Sequence, residues 1–349
     1  MHEIPITVYT PVYNGSRYIS ETIESVQRQG FSNFEYLIIN DGSTDDTEEI
    51  VTQYAKKDSR IRVISQTNKG VSTASNLAIS MARGKYCFRI DADDLCLPGR
   101  FAVQYEYMEK NPHVTVCGGL LLLFGGTNSI VSTQAESDSE IRVFFLSNPA
   151  LANSASCIKT SFMKDNNIWF DTDISFGEDF DLWSRMSFLD NCCFYNIQQP
   201  LSAYRIHPLS ATNRIEDTKK TDFLNKIRLR HIQLLDPFPL SSEIEIHSML
   251  MDVKHDLSFE DLVRAEAWAS KLIIRNELVG VYDQKTLLNI LEKKLYQVGS
   301  ASSVSGMKLF KWYVNCKRIC FTNNFFRFIY VSIKKFFKIK LHKLKLLVK

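Results

Sequence analysis

The sequence predicts an α/β protein: a mainly parallel sheet flanked by helices, followed by a smaller helical carboxyl-terminal region that ends in a basic amphipathic tail. Three observations carry this reading. Four apolar segments recur at regular intervals in the first third of the chain, segments of helical period lie between them, and beyond about residue 215 the sequence turns to charged amphipathic helices.

The strands read in order as "IPITVYT" from Ile4, "FEYLIIN" from Phe34, "IRVISQ" from Ile61 and "KYCFRI" from Lys85. Their near-continuous apolar character is that of strands covered on both faces. Between the first two, "YISETIESVQRQG" places Ile19, Ile23 and Val26 on one helical face, with Gly30 as the expected stop. The next helix opens in "DGSTDDTEEIV", where Ser43 or Thr44 is the expected cap and Asp45, Asp46, Glu48 and Glu49 favour the positive helix end. Pro98 suits the first turn of a further helix running to about Asn111, and "VTVCGGLLLLFGG" returns as a glycine-broken strand. Irregular sequence follows to about residue 157. "GEDFDLWSRMSFL" then reads as a helix with Leu182, Met186 and Leu189 aligned, and later helices are expected near 214–235, 258–278 and 284–298. The organisation expected is a catalytic-type domain over 1–214, a helical region over 215–307 and a tail over 308–349. No internal repeat is evident.

Apolar residues make up 45% of the 349 and charged residues 23%, which excludes global disorder and suits a sizeable core. The net charge of +3 conceals an asymmetry: residues 308–349 hold ten Lys, two Arg and no acid, leaving 30 basic against 39 acidic groups in the remainder. Eight scattered cysteines lack the paired spacing of a zinc module and read as reduced thiols. Neither a signal peptide nor a membrane-spanning apolar run is visible.

In an open parallel sheet, ligands bind at the carboxyl ends of the strands. Three polar clusters fall there: "TPVYNG", "NDGSTD" and "DADD". Asp91, Asp93 and Asp94 crowd like charge that a hard divalent cation would relieve, Mg or Mn being the usual partners of phosphate oxygens. The plainer reading is that they cap the helix starting near Pro98. Neither a glycine-rich dinucleotide fingerprint nor a P-loop is present, so nicotinamide and P-loop chemistry fit poorly.

"ITVYTPVYNGSRYISETIESVQRQGFSNFEYLIINDGSTDDT", then "NKGVSTASNLAISMARGKYCFRIDADD" and "GEDFDLWSRM", resemble the family-two nucleotide-sugar glycosyltransferases with the Rossmann-like GT-A fold. The resemblance spans roughly residues 4–207, with the motifs in family order. It implies that Pro11, Tyr13 and Asn14 border the nucleotide base, that Asp41 pairs with uracil or thymine, and that Asn76 belongs to the donor side. The family's D-x-D motif falls on Asp91 and Asp93, which assigns Asp93 to the metal and Asp91 to ribose or a metal-bound water. His207 in "YRIHPLSAT" is the candidate third ligand. Asp179 of "GEDFDLW" takes the role of general base, with Glu178 its neighbour, in an inverting single displacement. For Asp41 the plainer reading is a strand-to-helix turn satisfying backbone donors, and for Glu178, Asp179 and Asp181 it is acids stabilising a first helical turn.

Two departures stand out. Many relatives carry Arg immediately before the Asn of the third helix, where this chain has Ser75 before Asn76; and after "NP", where relatives often show His, it offers Asn153. The tail interleaves its twelve basic residues with ten aromatics, which suits an anionic membrane surface, with nucleic acid or packing on its own domain as alternatives. The expectation is thus a metal-dependent (Mn or Mg) transferase, cytoplasmic and peripheral on the inner face of the cell membrane. It would move a sugar from a nucleotide-diphosphate donor, of UDP type, to a saccharide or lipid-linked saccharide of surface polysaccharide synthesis. The competing classes are a haloacid-dehalogenase-type phosphotransferase and a non-catalytic sugar-nucleotide or membrane-binding scaffold.

Overall fold

The computed structural model describes residues 4–126, 135–174, 176–208, 210, 216–252 and 256–315. The chain divides into two compact units, Met1–Ile141 with Pro149–Phe223, and Arg142–Asn148 with Leu224–Lys349.

The first unit is built on an eight-stranded sheet. In chain order its strands are β1 (Ile6–Val12), β2 (Phe34–Asn40), β3 (Ile61–Ser65), β4 (Tyr86–Arg89), β5 (Leu95–Cys96), β6 (Val116–Phe124), β7 (Cys157–Lys159) and β8 (Phe194–Arg205). They lie in the order β3-β2-β1-β4-β7-β6-β8-β5. β3, β2, β1 and β4 are parallel, as their apolar runs predict. Beyond β4 the sheet is mixed: β7 is antiparallel to both β4 and β6, β8 is parallel to β6, and β5 is antiparallel to β8. Among the described residues four of the seven strand pairings are parallel, so the sheet is mainly parallel as expected, with its antiparallel pairings all beyond β4. The added strands carry weak signals, β7 because it has three residues and β8 because exposed Gln198, Gln199 and Pro200 interrupt its alternation.

Helices α1 (Ile19–Gln27), α2 (Thr47–Lys57), α3 (Val71–Met81), α4 (Arg100–Lys110), α6 (Thr160–Asp165) and α7 (Glu178–Met186) belong to this unit, and α5 (Asp138–Phe144) has only its first four residues in it. Ile19, Ile23 and Val26 of α1, Val51 of α2 and Phe101 and Met108 of α4 share one core with Ile6 and Val8 of β1, Tyr36 and Ile38 of β2, and Phe88 of β4. Since successive strand residues face opposite ways, Tyr9 and Arg89 lie on the opposite face, where Arg89 meets Ser75 of α3. Three local expectations are corrected. α1 ends at Gln27 with Arg28 as its cap, so Gly30 plays no part; α2 begins at Thr47, which donates its backbone N–H to Asp45 at 3.1 Å; and α4 begins at Arg100 after a left-handed Gly99.

In the second unit, α8 (Asp217–Leu235), α9 (Ser241–Met251), α10 (Phe259–Val279), α11 (Gln284–Ala301) and α12 (Gly306–Asn315) surround a core that includes Leu235, Leu250, Leu262, Trp268, Leu272, Leu291 and Leu295. Val143 and Leu146 join that core, and Arg228 donates to the Ser147 carbonyl at 2.6 Å while His247 donates to that of Leu146 at 2.6 Å. These contacts place 142–148 here rather than with the sequence around it. The tail shows a correction as well. Leu309 and Trp312 are buried, with the Trp312 indole donating to the Leu262 carbonyl at 3.1 Å, so the start of the 308–349 segment packs on its own unit. Residues 316–349, with most of the basic charge, lie outside the described residues, as do Cys316 and Cys320. The six described cysteines are unbridged.

Candidate active site

The carboxyl ends of β1, β2 and β4 are held together by their own loops. Asn14 adopts a left-handed φ of 51°, accepts the Thr44 N–H on its side-chain oxygen at 2.8 Å, and donates its backbone N–H to Ser43 at 3.0 Å. Pro11 is buried in β1, and Tyr13 beside it is half exposed at this edge. Asp41 is buried and accepts from Gln66 Nε2 at 2.6 Å, from the Lys69 N–H at 2.9 Å and from the Gly70 N–H at 2.8 Å. Its carboxylate thus ties the loop after β3 into the edge, as the turn reading expects. Gly42 must be glycine there: with φ at 72°, a Cβ would stand 2.7 Å from the Asn68 nitrogen.

The acidic segment after β4 does not cap a helix, because β5 intervenes and α4 has no acid in its first turn. Instead the three acids diverge. Asp91 accepts from Arg89 Nε at 2.8 Å, and Asp93 Oδ2 lies 2.8 Å from His207 Nε2. Asp94 is fully buried and accepts the Arg205 N–H at 2.9 Å; burial first, and then the charges of Asp91 and Asp93, push its carboxyl well above the usual range. Arg205 braces the segment from β8. Its Nε donates to the Asp93 carbonyl at 2.8 Å, its Nη2 to Glu21 at 2.9 Å, and its guanidinium stacks within 4.6 Å of the Tyr18 and Phe124 ring centres. The His207 ring also rests on Tyr18, 4.9 Å between centres.

On the other side, α7 delivers its acids. Gly177 precedes it at φ 68°, with Phe223 so close that a Cβ would come within 2.4 Å of the ring. Glu178 approaches Arg89 to 3.7 Å, and Asp181 is neutralised by Arg185 at 2.7 Å. Asp179 is pushed up to about 7, first by burial and then by the Glu178 charge. That value places it where a proton acceptor is most effective near neutral pH. Asn76 commits both ends of its amide to the Phe170 backbone, at 2.8 and 2.9 Å, and so positions the irregular segment before α7. The loop carrying Asn153 adjoins the acids, since the next residue, Ser154, accepts the Asp91 N–H at 3.3 Å.

Three arginines escaped the motif reading. Arg89 and Arg100 are buried, and Arg100 binds the carbonyls of Arg89, Ser154 and Ser156 behind the acids at 2.7–3.1 Å. The signal was present for Arg89 as a charge inside the apolar run "YCFRI". As for metal, Asp93, His207 and the outer oxygen of Asp91 offer the carboxylate and imidazole donors that suit Mn or Mg. Among the described residues no three acidic, His or Cys side chains already stand in metal-binding array. The donor set fits a cation; its final geometry is not preformed.

A family model described as glycosyl transferase family 2 matches residues 7–175. An uncharacterized glycosyltransferase of Haemophilus influenzae is 29% identical over 241 residues, covering 65% of this chain and 73% of its own length. Bacillus subtilis EpsJ, also an uncharacterized glycosyltransferase, is 31% identical over 221 residues, 59% of this chain and 62% of its own. Two Rickettsia relatives match over only 18% and 16% of their lengths. Among solved structures, Staphylococcus aureus TarS 1–349 in complex with UDP superposes with a TM-score of 0.53 at 17% identity, over 85% of this chain and 90% of that one. The strand order, the acidic segment at the sheet edge and these matches agree: residues 7–175 are similar to glycosyl transferase family 2, and the first unit has the GT-A fold.

Proposed function

We propose that the protein transfers a sugar, with inversion, from a nucleoside-diphosphate donor of UDP type to a hydroxyl of a saccharide or lipid-linked saccharide. The observation that carries this is the pairing, at one sheet edge, of the Asp91–Asp93–His207 group with a carboxyl, Asp179, whose proton affinity is raised to about 7.

Asp179 accepts the proton of the acceptor hydroxyl as that oxygen attacks the anomeric carbon, and the bond from that carbon to the diphosphate oxygen breaks with its electron pair leaving on the nucleoside diphosphate. Burial and the neighbouring Glu178 charge supply the driving force for that proton transfer. Asp93, Asp91 and His207 would hold a divalent ion, which when bound offsets the charge on the departing diphosphate. Tyr13 and the Asp41-anchored loop border the base. Arg205 and Tyr18 keep Asp93 and His207 in place from behind.

Support for a UDP-type donor comes from the TarS structure bound to UDP, a protein with the same fold. Surface polysaccharide assembly is the setting proposed, because the basic, aromatic tail suits an anionic membrane, where a lipid-linked acceptor would lie. A phosphotransferase of the haloacid-dehalogenase type is disfavoured by topology, because the acidic motif follows the fourth strand rather than the first. The test is nucleoside diphosphate release from a panel of UDP-, GDP- and dTDP-sugars with Mn or Mg and with saccharide or lipid-linked acceptors. Release that depends on metal and acceptor supports the reading; none from any donor favours a binding scaffold.

A further inference from the structure

Arg89 departs from the pattern of a buried strand. It is 3% exposed on the α3 face of the sheet, opposite Tyr9 in the β1–β4 register, where an apolar side chain would pack without cost. Burying a guanidinium is tolerable only where its donors and its charge are matched. Each of its three nitrogens meets a different element: Nε donates to Asp91 at 2.8 Å, Nη1 to Ser75 Oγ of α3 at 2.8 Å, and Nη2 stands 3.7 Å from Glu178 of α7. The Tyr9 and Phe170 rings flank the group within 5.9 Å.

We infer that Arg89 is the positioning residue that holds the donor-side acid Asp91 and the base-bearing start of α7 in register, and that it supplies the positive charge between them from β4 rather than from α3. The geometry explains the Ser75 departure. A long cation at position 75 would meet the Arg89 guanidinium, whereas serine is short enough to leave that volume to it and polar enough to accept its Nη1 proton. Ser75 passes its own proton to the Val71 carbonyl at 2.7 Å, which fixes its oxygen as an acceptor. Without the guanidinium, Asp91 and Glu178 would face each other across an unneutralised gap, and the orientation of both would loosen. Arg205 serves the other side of the acidic segment, where its Nε donates to the Asp93 carbonyl and its Nη2 to Glu21.

This rests on the transferase reading, and the test separates the two. Four full-length chains are compared for metal-dependent nucleoside diphosphate release, for donor KM against kcat, and for thermal unfolding: wild type, Arg89→Leu, Arg89→Lys, and the double variant Ser75→Arg with Arg89→Leu. Arg89→Leu is expected to lose about 100-fold or more in kcat/KM, as for removal of one partner of a buried charge cluster. Arg89→Lys keeps the charge but not the fork, and should recover only part of that loss. The double variant, which moves the cation to α3, should regain at least about tenfold over Arg89→Leu at comparable thermal stability. A merely structural arginine would restore stability and activity together in Arg89→Lys and gain nothing from the relocated one. An active wild type with Arg89→Leu within about twofold of it overturns the inference, as does a folded double variant no better than the single. A wild type that releases no diphosphate from any donor overturns the transferase reading and this inference with it.

Discussion

In the proposed reaction Asp179 is the residue on which the chemistry turns, and two measurements bear on it. Activity that needs its ionised form should fall on the acid side with a limb near pH 7, and Asp179→Asn should lose several powers of ten in turnover while still binding donor. A raised carboxyl affinity also has a stability signature. The neutral form favours the fold below the ordinary carboxyl range of about 4, and that contribution is lost as pH rises through about 7. Asparagine, always neutral, should therefore raise the Tm at pH 8 relative to wild type and leave it unchanged near pH 4; an equal shift at both would contradict the burial argument. At the neighbouring cluster, His207→Ala should weaken the apparent metal affinity by about tenfold or more, read by titrating Mn against turnover. Unchanged metal dependence would remove His207 from the set. Asp91 and Asp93 stand out in the sequence as acids crowded at a strand end, whereas Asp179 and His207 are singled out only through the resemblance to family-two glycosyltransferases. Arg89 shows only as a charge within an apolar run, and Arg100 and Arg205 do not stand out, since the three reach partners 14, 54 and 112 positions away respectively.

Among the elements, α7 is the one whose placement is least forgiving. Gly177 turns the chain in the left-handed region against the Phe223 ring, so Gly177→Ala must distort the start of the helix that carries Glu178 and Asp179. The expected cost is about 1–3 kcal/mol in stability, with a larger proportional fall in kcat than in donor affinity; a variant with wild-type kcat would mean that the helix start does not set the base. The first four parallel strands were readable because long apolar runs ended in polar clusters. β5 and β7 were not, being two and three residues long, and α9 was hidden by a sequence in which apolar and polar residues alternate without a clear face. The second half of the sheet is assembled by pairing between distant segments, and nothing local in "NPALANSAS" announces that its continuation will join β4.

For the molecule as a whole, the tail is split at Trp312. Trp312→Ala should destabilise the second unit by about 3–5 kcal/mol, because the ring is buried among α10 side chains. Deleting residues 316–349 should leave that core intact and release the protein from vesicles containing anionic lipid; persistent binding would contradict the membrane role. None of the described helices is long and apolar enough to cross a membrane. The central claim is that one sheet edge joins a metal-assisted diphosphate site to the Asp179 base. Its most direct test is acceptor-dependent release of nucleoside diphosphate from UDP-sugars with Mn, compared between wild type and Asp93→Ala. The account predicts release by the wild type that chelation abolishes and Asp93→Ala lacks; equal, chelator-insensitive release by both would contradict it.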